Sequence, residues 1–213
     1  MISIQQFTFN EFQENTYVLY DETKECVIFD AGCRHDFEEK KLSDFISEKK
    51  LIPLKLINTH CHIDHVLGNP FVSKKYNLEL YLHKDELQTY NETGRWAEMF
   101  GLVMEEIPEK KVFINEGDKI KFGNSFLDIF YTPGHSIASL SFYNNTEKIC
   151  ISGDVLFQES IGRTDLPGGN FETLINSIKQ KLFSLSNDVK VYSGHGNPTT
   201  IGHEKNHNHF LHG

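Results

Sequence analysis

The alternation of apolar and polar positions divides this chain into short strands and amphipathic helices. "ISIQQFTF", "NTYVLYD" and "CVIFDAG" read as strands, and the polar "ETKE" between the last two predicts a hairpin. "DFEEKKLSDFISEKK" sets Phe37, Leu42, Phe45 and Ile46 at near-helical spacing among charges, which predicts an amphipathic helix. "LKLIN" is a short buried strand. "GNPFVSKKYN" then opens a helix, with Asn69 suited to the N-cap and Pro70 to the first helical position.

Further along, "LELYLH" predicts a strand and "KDELQTYNETGRWAEMFG" a helical stretch weakened by Gly94. "DKIKFGNSFLDIFYT" and "SLSFYNNTEKICIS" predict hairpins around Gly123-Asn124 and Asn144-Asn145. "FETLINSIKQKLFSL" is an amphipathic helix, "VKVYS" a last strand, and a short helix follows it. Several hairpins in the middle fit a simple doubly wound sheet poorly. Two sheets packed together with helices outside satisfy the order.

Composition narrows the class. Of 213 residues, 38% are hydrophobic and 24% charged, which fits a globular chain. No apolar run approaches the ~20 residues that span a bilayer. The opening "MISIQQFTFNEF" lacks a basic region and a long apolar stretch, so no signal peptide is expected and the cytoplasm is the expected compartment. A net charge of −9 argues against a general binder of phosphate backbones. Cys26, Cys33, Cys61 and Cys150 show no CxxC spacing and are expected to be buried free thiols.

The chemistry is concentrated where strands end. "LKLINTHCHIDH" runs from an apolar strand into three histidines and an aspartate. "LDIFYTPGH", "KICISGD" and "VKVYSGHG" likewise end in glycine turns that carry His135, Asp154 and His195. Rigid strand ends fix positions, and glycines admit close backbone approach. His60 and His62 are two apart, so an extended backbone points them the same way and turns Cys61 the other way. Asp64 and His65 lie where the chain turns toward the next helix.

The expected assignment gives one divalent ion to His60, His62 and His135, a second to Asp64, His65 and His195, and Asp154 to both. Two ions ~3.5–4 Å apart form a hydrolytic site. Imidazoles and carboxylates suit zinc, iron or manganese. With no thiolate in the set, this is not a closed structural zinc site. His83 is expected to end a strand without a metal. His203, His207, His209 and His212 are expected to be polar residues of a terminal helix and tail. Asp30 reads equally as an acceptor that orients a metal-bound imidazole and as an ordinary turn residue.

Taken in order, "ENTYVLYD", "FDAG", "THCHIDH", "TPGHS", "SGDVLF" and "GHG" resemble the motifs of the metallo-β-lactamase superfamily over nearly the whole length. That resemblance implies an α+β fold, a four-layer αβ/βα sandwich of two mixed β-sheets face to face with helices outside, in a single domain over 1–213. "SGDVLFQESIGRTDLPGGN" and "GHGNPTTIGHEKNHNHFL" look like the short glyoxalase II-like hydrolases, which lack the C-terminal helical domain of hydroxyacylglutathione hydrolase. Arg163 and Asp165 lie in the loop where the larger enzymes carry Lys and Tyr for glutathione.

The activity this implies is hydrolysis of a small acyl thioester, S-lactoylglutathione-like, by a metal-bridging hydroxide. Asp64 would orient the hydroxide, Asp154 would bridge the ions, and Arg163 would pair with a substrate carboxylate. The expected cofactors are two divalent ions, zinc with iron or manganese as alternatives. The expected partner is a small molecule, with neither nucleic acid nor membrane. The resemblance also admits a glutathione persulfide dioxygenase with one iron on His60, His135 and Asp154, and a lactonase or phosphodiester hydrolase.

Overall fold

The structure is a computed structural model that describes residues 1–104 and 108–211. Its chain divides into two compact units. The first comprises residues up to 114 together with 121–126, and the second 115–120 together with 127 onward.

In the first unit a six-stranded sheet runs in simple sequence order. β1 (Ser3–Phe9), β2 (Glu14–Tyr20) and β3 (Glu25–Phe29) form the antiparallel meander that the "ETKE" turn predicts. β4 (Ile52–Ile57), β5 (Leu80–Leu82) and β6 (Lys111–Phe113) then add in parallel. Parallel neighbours need a crossover, and helices supply it. α1 (Asp36–Glu48) links β3 to β4, α2 (Asn69–Tyr76) links β4 to β5, and α3 (Leu87–Asn91) with α4 (Thr93–Met99) precedes β6. Val18, Ile28, Leu42, Ile46, Leu56 and Leu80 share one core.

Two details depart from the pattern reading. In α1, Leu42 and Ile46 are buried as expected, but Phe37 is 69% exposed and Glu38 takes an inward position. The reason is polar: the Glu38 carboxylate accepts the backbone N–H of Asn10 at 2.7 Å and of Arg34 at 2.8 Å. A carboxylate in the first helical turn also suits the helix dipole. In α2, Gly68 is the capping residue and Asn69 is already helical, so the amide of Asn69 is released for other work.

The second unit carries another six-stranded mixed sheet. In chain order its strands are β7 (Lys119–Phe122), β8 (Ser125–Tyr131), β9 (Leu140–Asn144) and β10 (Ile149–Gly153). A small hairpin of β11 (Leu156–Phe157) and β12 (Ser160–Ile161) stands apart, and α5 (Phe171–Gln180) follows. β13 (Lys190–Ser193) and β14 (Thr199–Thr200) close the sheet, and α6 (Ile201–His207) ends the described fold. The sheet order is β14-β13-β10-β9-β8-β7. Leu174 and Ile178 of α5 pack with Cys150, Val191 and Ile201.

Strand direction then decides where chemistry can collect. β9 is antiparallel to both β8 and β10, and β13 is parallel to β10. The C-terminal ends of β8, β10 and β13 therefore lie at one edge of this sheet. In the first unit, parallel β3 and β4 bring Asp30 and the segment after Ile57 to one edge in the same way. The C-terminal edge of strands is where open α/β sheets place ligands. Among the described residues, no helix is long and apolar enough to cross a membrane.

Candidate metal centre

Beyond Ile57 the chain leaves the sheet, and its backbone donors find substitutes. Asn58 N–H donates to Tyr81 O at 2.9 Å, Thr59 N–H to Asp30 Oδ1 at 2.7 Å, and Cys61 N–H to Glu86 Oε2 at 2.9 Å. Held this way, the rings of His60 and His62 meet edge to face at 4.7 Å, and those of His60 and His65 lie 4.1 Å apart. Cys61 turns into the core, fully buried, and burial pushes its thiol well above the ordinary range. Alternation thus sorts this run as expected. Residues Ile63–His65 then form one 3₁₀ turn, in which His65 N–H returns to His62 O.

Asp30 is the organising carboxylate of this half. It sits at φ +47°, a left-handed conformation that Asp tolerates better than most residues. Its Oδ2 accepts the Thr59 hydroxyl at 2.7 Å and lies 3.2 Å from His65 Nδ1. Because that hydroxyl proton is committed to Asp30, Thr59 Oγ1 receives from His60 Nδ1, 3.1 Å away. The Nε2 atom of His60 is thereby left as a lone-pair donor. Asp30 ends its strand in a turn, and its carboxylate lies beside Thr59 and His65, where an acceptor for an imidazole would stand. Asp30, His60 and His65 each offer a donor atom within 4.8 Å of the others.

Sequence reasoning missed the support beneath. Asn69 donates to Asn58 Oδ1 at 2.7 Å, and Asn58 donates to His65 O at 2.9 Å. Buried Glu14 lies 4.0 Å from His65 Nδ1. Burial raises its carboxyl well above the usual range, Asp30 and Asp64 push the same way, and His65 opposes them. "ENTYVLYD" and Asn69 stand out locally as a family motif and a helix cap, but the support they give His65 does not show, because their partners are distant in sequence.

The second unit assembles His135, Asp154 and His195. Asp154 Oδ2 stands 3.5 Å from His135 Nε2 and 3.5 Å from His195 Nε2. His135 Nδ1 donates to the carbonyl of Arg163 at 2.8 Å, which puts the ring's lone pair on Nε2, the atom that faces Asp154. Gly162 makes that approach possible. A methyl group there would collide with the Asp154 carbonyl oxygen and come within 2.9 Å of His135 Nδ1. The Arg163 guanidinium is held in a bidentate pair by Asp165, at 2.8 and 2.7 Å, and both side chains are exposed.

Divalent ions fit both donor sets. In the first unit, His65 Nε2 and Asp64 Oδ2 are also 3.5 Å apart. Charge-assisted N–H···O contacts run ~2.7–2.9 Å. The edge of a tetrahedron whose corners lie ~2.1 Å from a metal is ~3.4 Å. The recurring 3.5 Å spacing matches that edge. The donors are nitrogen and oxygen throughout, and the nearby thiol faces the core.

A family model settles the ancestry of this arrangement: that of the metallo-β-lactamase superfamily matches residues 9–195. The chain belongs to the metallo-β-lactamase superfamily. A probable metallo-hydrolase, YqgX of Bacillus subtilis, is 38% identical over 206 residues, 94% of this chain and 93% of that protein. Hydroxyacylglutathione hydrolase GloC of Haemophilus influenzae is 36% identical over 203 residues, again 94% and 93%. Among solved structures, BLEG-1 B3 metallo-β-lactamase superposes with a TM-score of 0.87 at 35% identity, over 99% of this chain and 100% of that one. TTHA1623 in a di-iron-bound form gives 0.87 at 33% identity, over 97% and 100%. The fold is that of the superfamily, two mixed sheets with helices, and superfamily members bind divalent metals.

The remaining histidines play other parts. His83 Nδ1 accepts the N–H of Asp85 and caps a 3₁₀ turn. His203 meets Glu159 at 2.9 Å and stacks on His207, while His209 is exposed. His212 lies outside the described residues.

Proposed function

We propose that this metallo-hydrolase cleaves small acyl thioesters of the S-lactoylglutathione kind with two divalent ions, zinc in the first instance and iron or manganese as alternatives. The observation that carries it is Asp154 Oδ2 at 3.5 Å from two imidazole Nε2 atoms, a placement from which one carboxylate oxygen would serve two ions. In this reading His60, His62 and His135 would hold one ion and Asp64, His65 and His195 the other, with Asp154 serving both. The similarity to hydroxyacylglutathione hydrolase GloC supports the substrate class, and the di-iron form of TTHA1623 supports a two-ion site.

Bound there, the ions supply an acidified water and a positive centre for a developing oxyanion. The chain's own residues do the rest. Asp64 would accept a hydrogen bond from the attacking water and fix its direction. Asp30, Thr59 and the Arg163 carbonyl keep the imidazoles in the ligating tautomer. No general acid is needed for the leaving group, since a thiol of pKa ~8.5 departs as thiolate. Arg163 receives a substrate carboxylate in exchange for Asp165. Their pair is exposed, and exposed pairs are worth little, so exchange is cheap. Buried free thiols suit the cytoplasm, and the net charge of −9 suits a small-molecule partner better than nucleic acid.

The test is thiol release from S-lactoylglutathione and a thioester panel, with protein stripped by chelator and reloaded with zinc, manganese or iron. Turnover that vanishes on stripping and returns on loading is expected. Oxygen uptake on glutathione persulfide with one iron per chain, and no thiol release, contradicts it.

A further inference from the structure

Glu86 is a buried carboxylate for which the chemistry above finds no use, since it stands outside every motif that carries metal donors. It is 1% exposed and lies in the 3₁₀ turn Lys84–Glu86, just past the C-terminal end of β5. β5 is the parallel neighbour of β4, paired through Ile57 and Tyr81. Glu86 therefore leaves its strand at the edge where the histidine segment leaves its own. There its Oε2 receives the N–H of Cys61 at 2.9 Å.

That N–H belongs to the peptide joining His60 to Cys61. A peptide unit is planar, so holding its N–H fixes ψ of His60 and φ of Cys61 together. Those two angles are among the few backbone torsions between the His60 and His62 side chains, so restraining them narrows how the two rings can face each other. β5 ends at Leu82, so the sheet offers Cys61 no backbone partner, and a side chain from the next turn stands in.

We propose that Glu86 is a positioning residue for the His60–Cys61–His62 run, acting through the Cys61 amide to hold both imidazoles in the geometry that receives an ion. The proposal rests on the metal-site reading above. It concerns reach and acceptor geometry, because the bond requires an oxygen at the end of a two-methylene side chain. Glu86→Gln keeps such an oxygen. Glu86→Asp keeps the charge but withdraws it by one methylene, and Glu86→Ala removes the acceptor.

The experiment titrates Co²⁺ into metal-free wild type and the three variants. It reads affinity by competition with a chelator and coordination by the visible d–d bands, and checks folding by circular dichroism. Amide exchange at Cys61 is followed in the metal-free wild type. Expected are a protected Cys61 amide, affinity of Glu86→Gln within about threefold of wild type, and losses of about 10- to 100-fold with altered bands in Glu86→Asp and Glu86→Ala. Folded Asp or Ala variants with wild-type affinity and bands overturn the proposal, as does a Gln variant as weak as Ala. If no variant folds, a Cys61 amide exchanging as fast as an open loop overturns it, and a protected one supports it. A wild type that binds no ion rejects the metal-site reading itself, which is a different result.

Discussion

Asp30 holds Thr59 at two points, accepting its backbone N–H on Oδ1 and its hydroxyl on Oδ2, each at 2.7 Å. The second bond sets the polarity of a chain of protons. The Thr59 hydroxyl gives to Asp30 and so takes from His60 Nδ1, which leaves Nε2 to bind a cation. Asp30→Asn should reverse that chain. Its amide would donate to Thr59, whose proton would then face His60 Nδ1 and drive the imidazole proton to Nε2. Asn tolerates the left-handed φ of +47°, so the backbone is left nearly undisturbed. We expect divalent affinity to fall by about 10- to 100-fold with a stability loss of only about 1–3 kcal/mol. Calorimetric titration with zinc beside urea unfolding checks both. Wild-type affinity in a folded Asp30→Asn protein would contradict the relay.

Asp154 and His195 should separate the two ions. Asp154→Ala removes the oxygen that stands between two imidazoles, so elemental analysis should find both ions depleted and thiol release lost. His195→Ala should deplete one ion and keep the other. Equal metal content in the two variants would place the shared carboxylate elsewhere.

What the chain discloses without coordinates follows from how local each signal is. The histidine run was legible because alternation is a two-residue rule and the glycine turns mark strand ends directly. Both six-stranded sheets follow from apolar runs and their turns, apart from β6 and β14; these, like the separate hairpin of β11 and β12, are two or three residues long and too short to show a period, so "VKVYS" is not the last strand as expected. Glu14, Asn58, Asn69 and Glu86 stayed hidden because each is explained only by a partner brought near through folding. Phe37 and Glu38 misled for a related reason. The periodic stripe in α1 is right, but backbone donors at Asn10 and Arg34 draw the carboxylate inward.

Two glycines should answer a methyl group in opposite ways. Gly162→Ala drives a carbon into the Asp154 carbonyl and crowds His135 Nδ1, so we expect a loss of about 1–3 kcal/mol and weaker metal binding. Gly94→Ala, inside α4 with nothing within 4 Å of the new methyl, should gain about 0.5–1 kcal/mol from helix propensity. Thermal unfolding of the metal-free proteins measures both. A neutral Gly162→Ala would mean the loop over Asp154 is looser than this packing implies.

The thiols should be silent in the folded protein. All four cysteines are free and buried, and burial alone pushes Cys26 and Cys150 up to about 12. Reaction with a disulfide reagent requires thiolate, and at pH 8 only ~1 in 10⁴ of such groups carries it. A raised thiol pKa keeps the neutral form until the solution approaches that value, so reactivity should stay low from pH 6 to 9. Four equivalents should appear only on unfolding. Rapid labelling of the native protein would contradict this burial.

The most direct measurement is anomalous diffraction from crystals of the zinc-loaded protein at the metal edge. Two peaks ~3.5–4 Å apart are predicted, one bound by His60, His62 and His135, the other by Asp64, His65 and His195, with an Asp154 oxygen reaching both. A single peak, or ions held by other side chains, would contradict the two-ion centre.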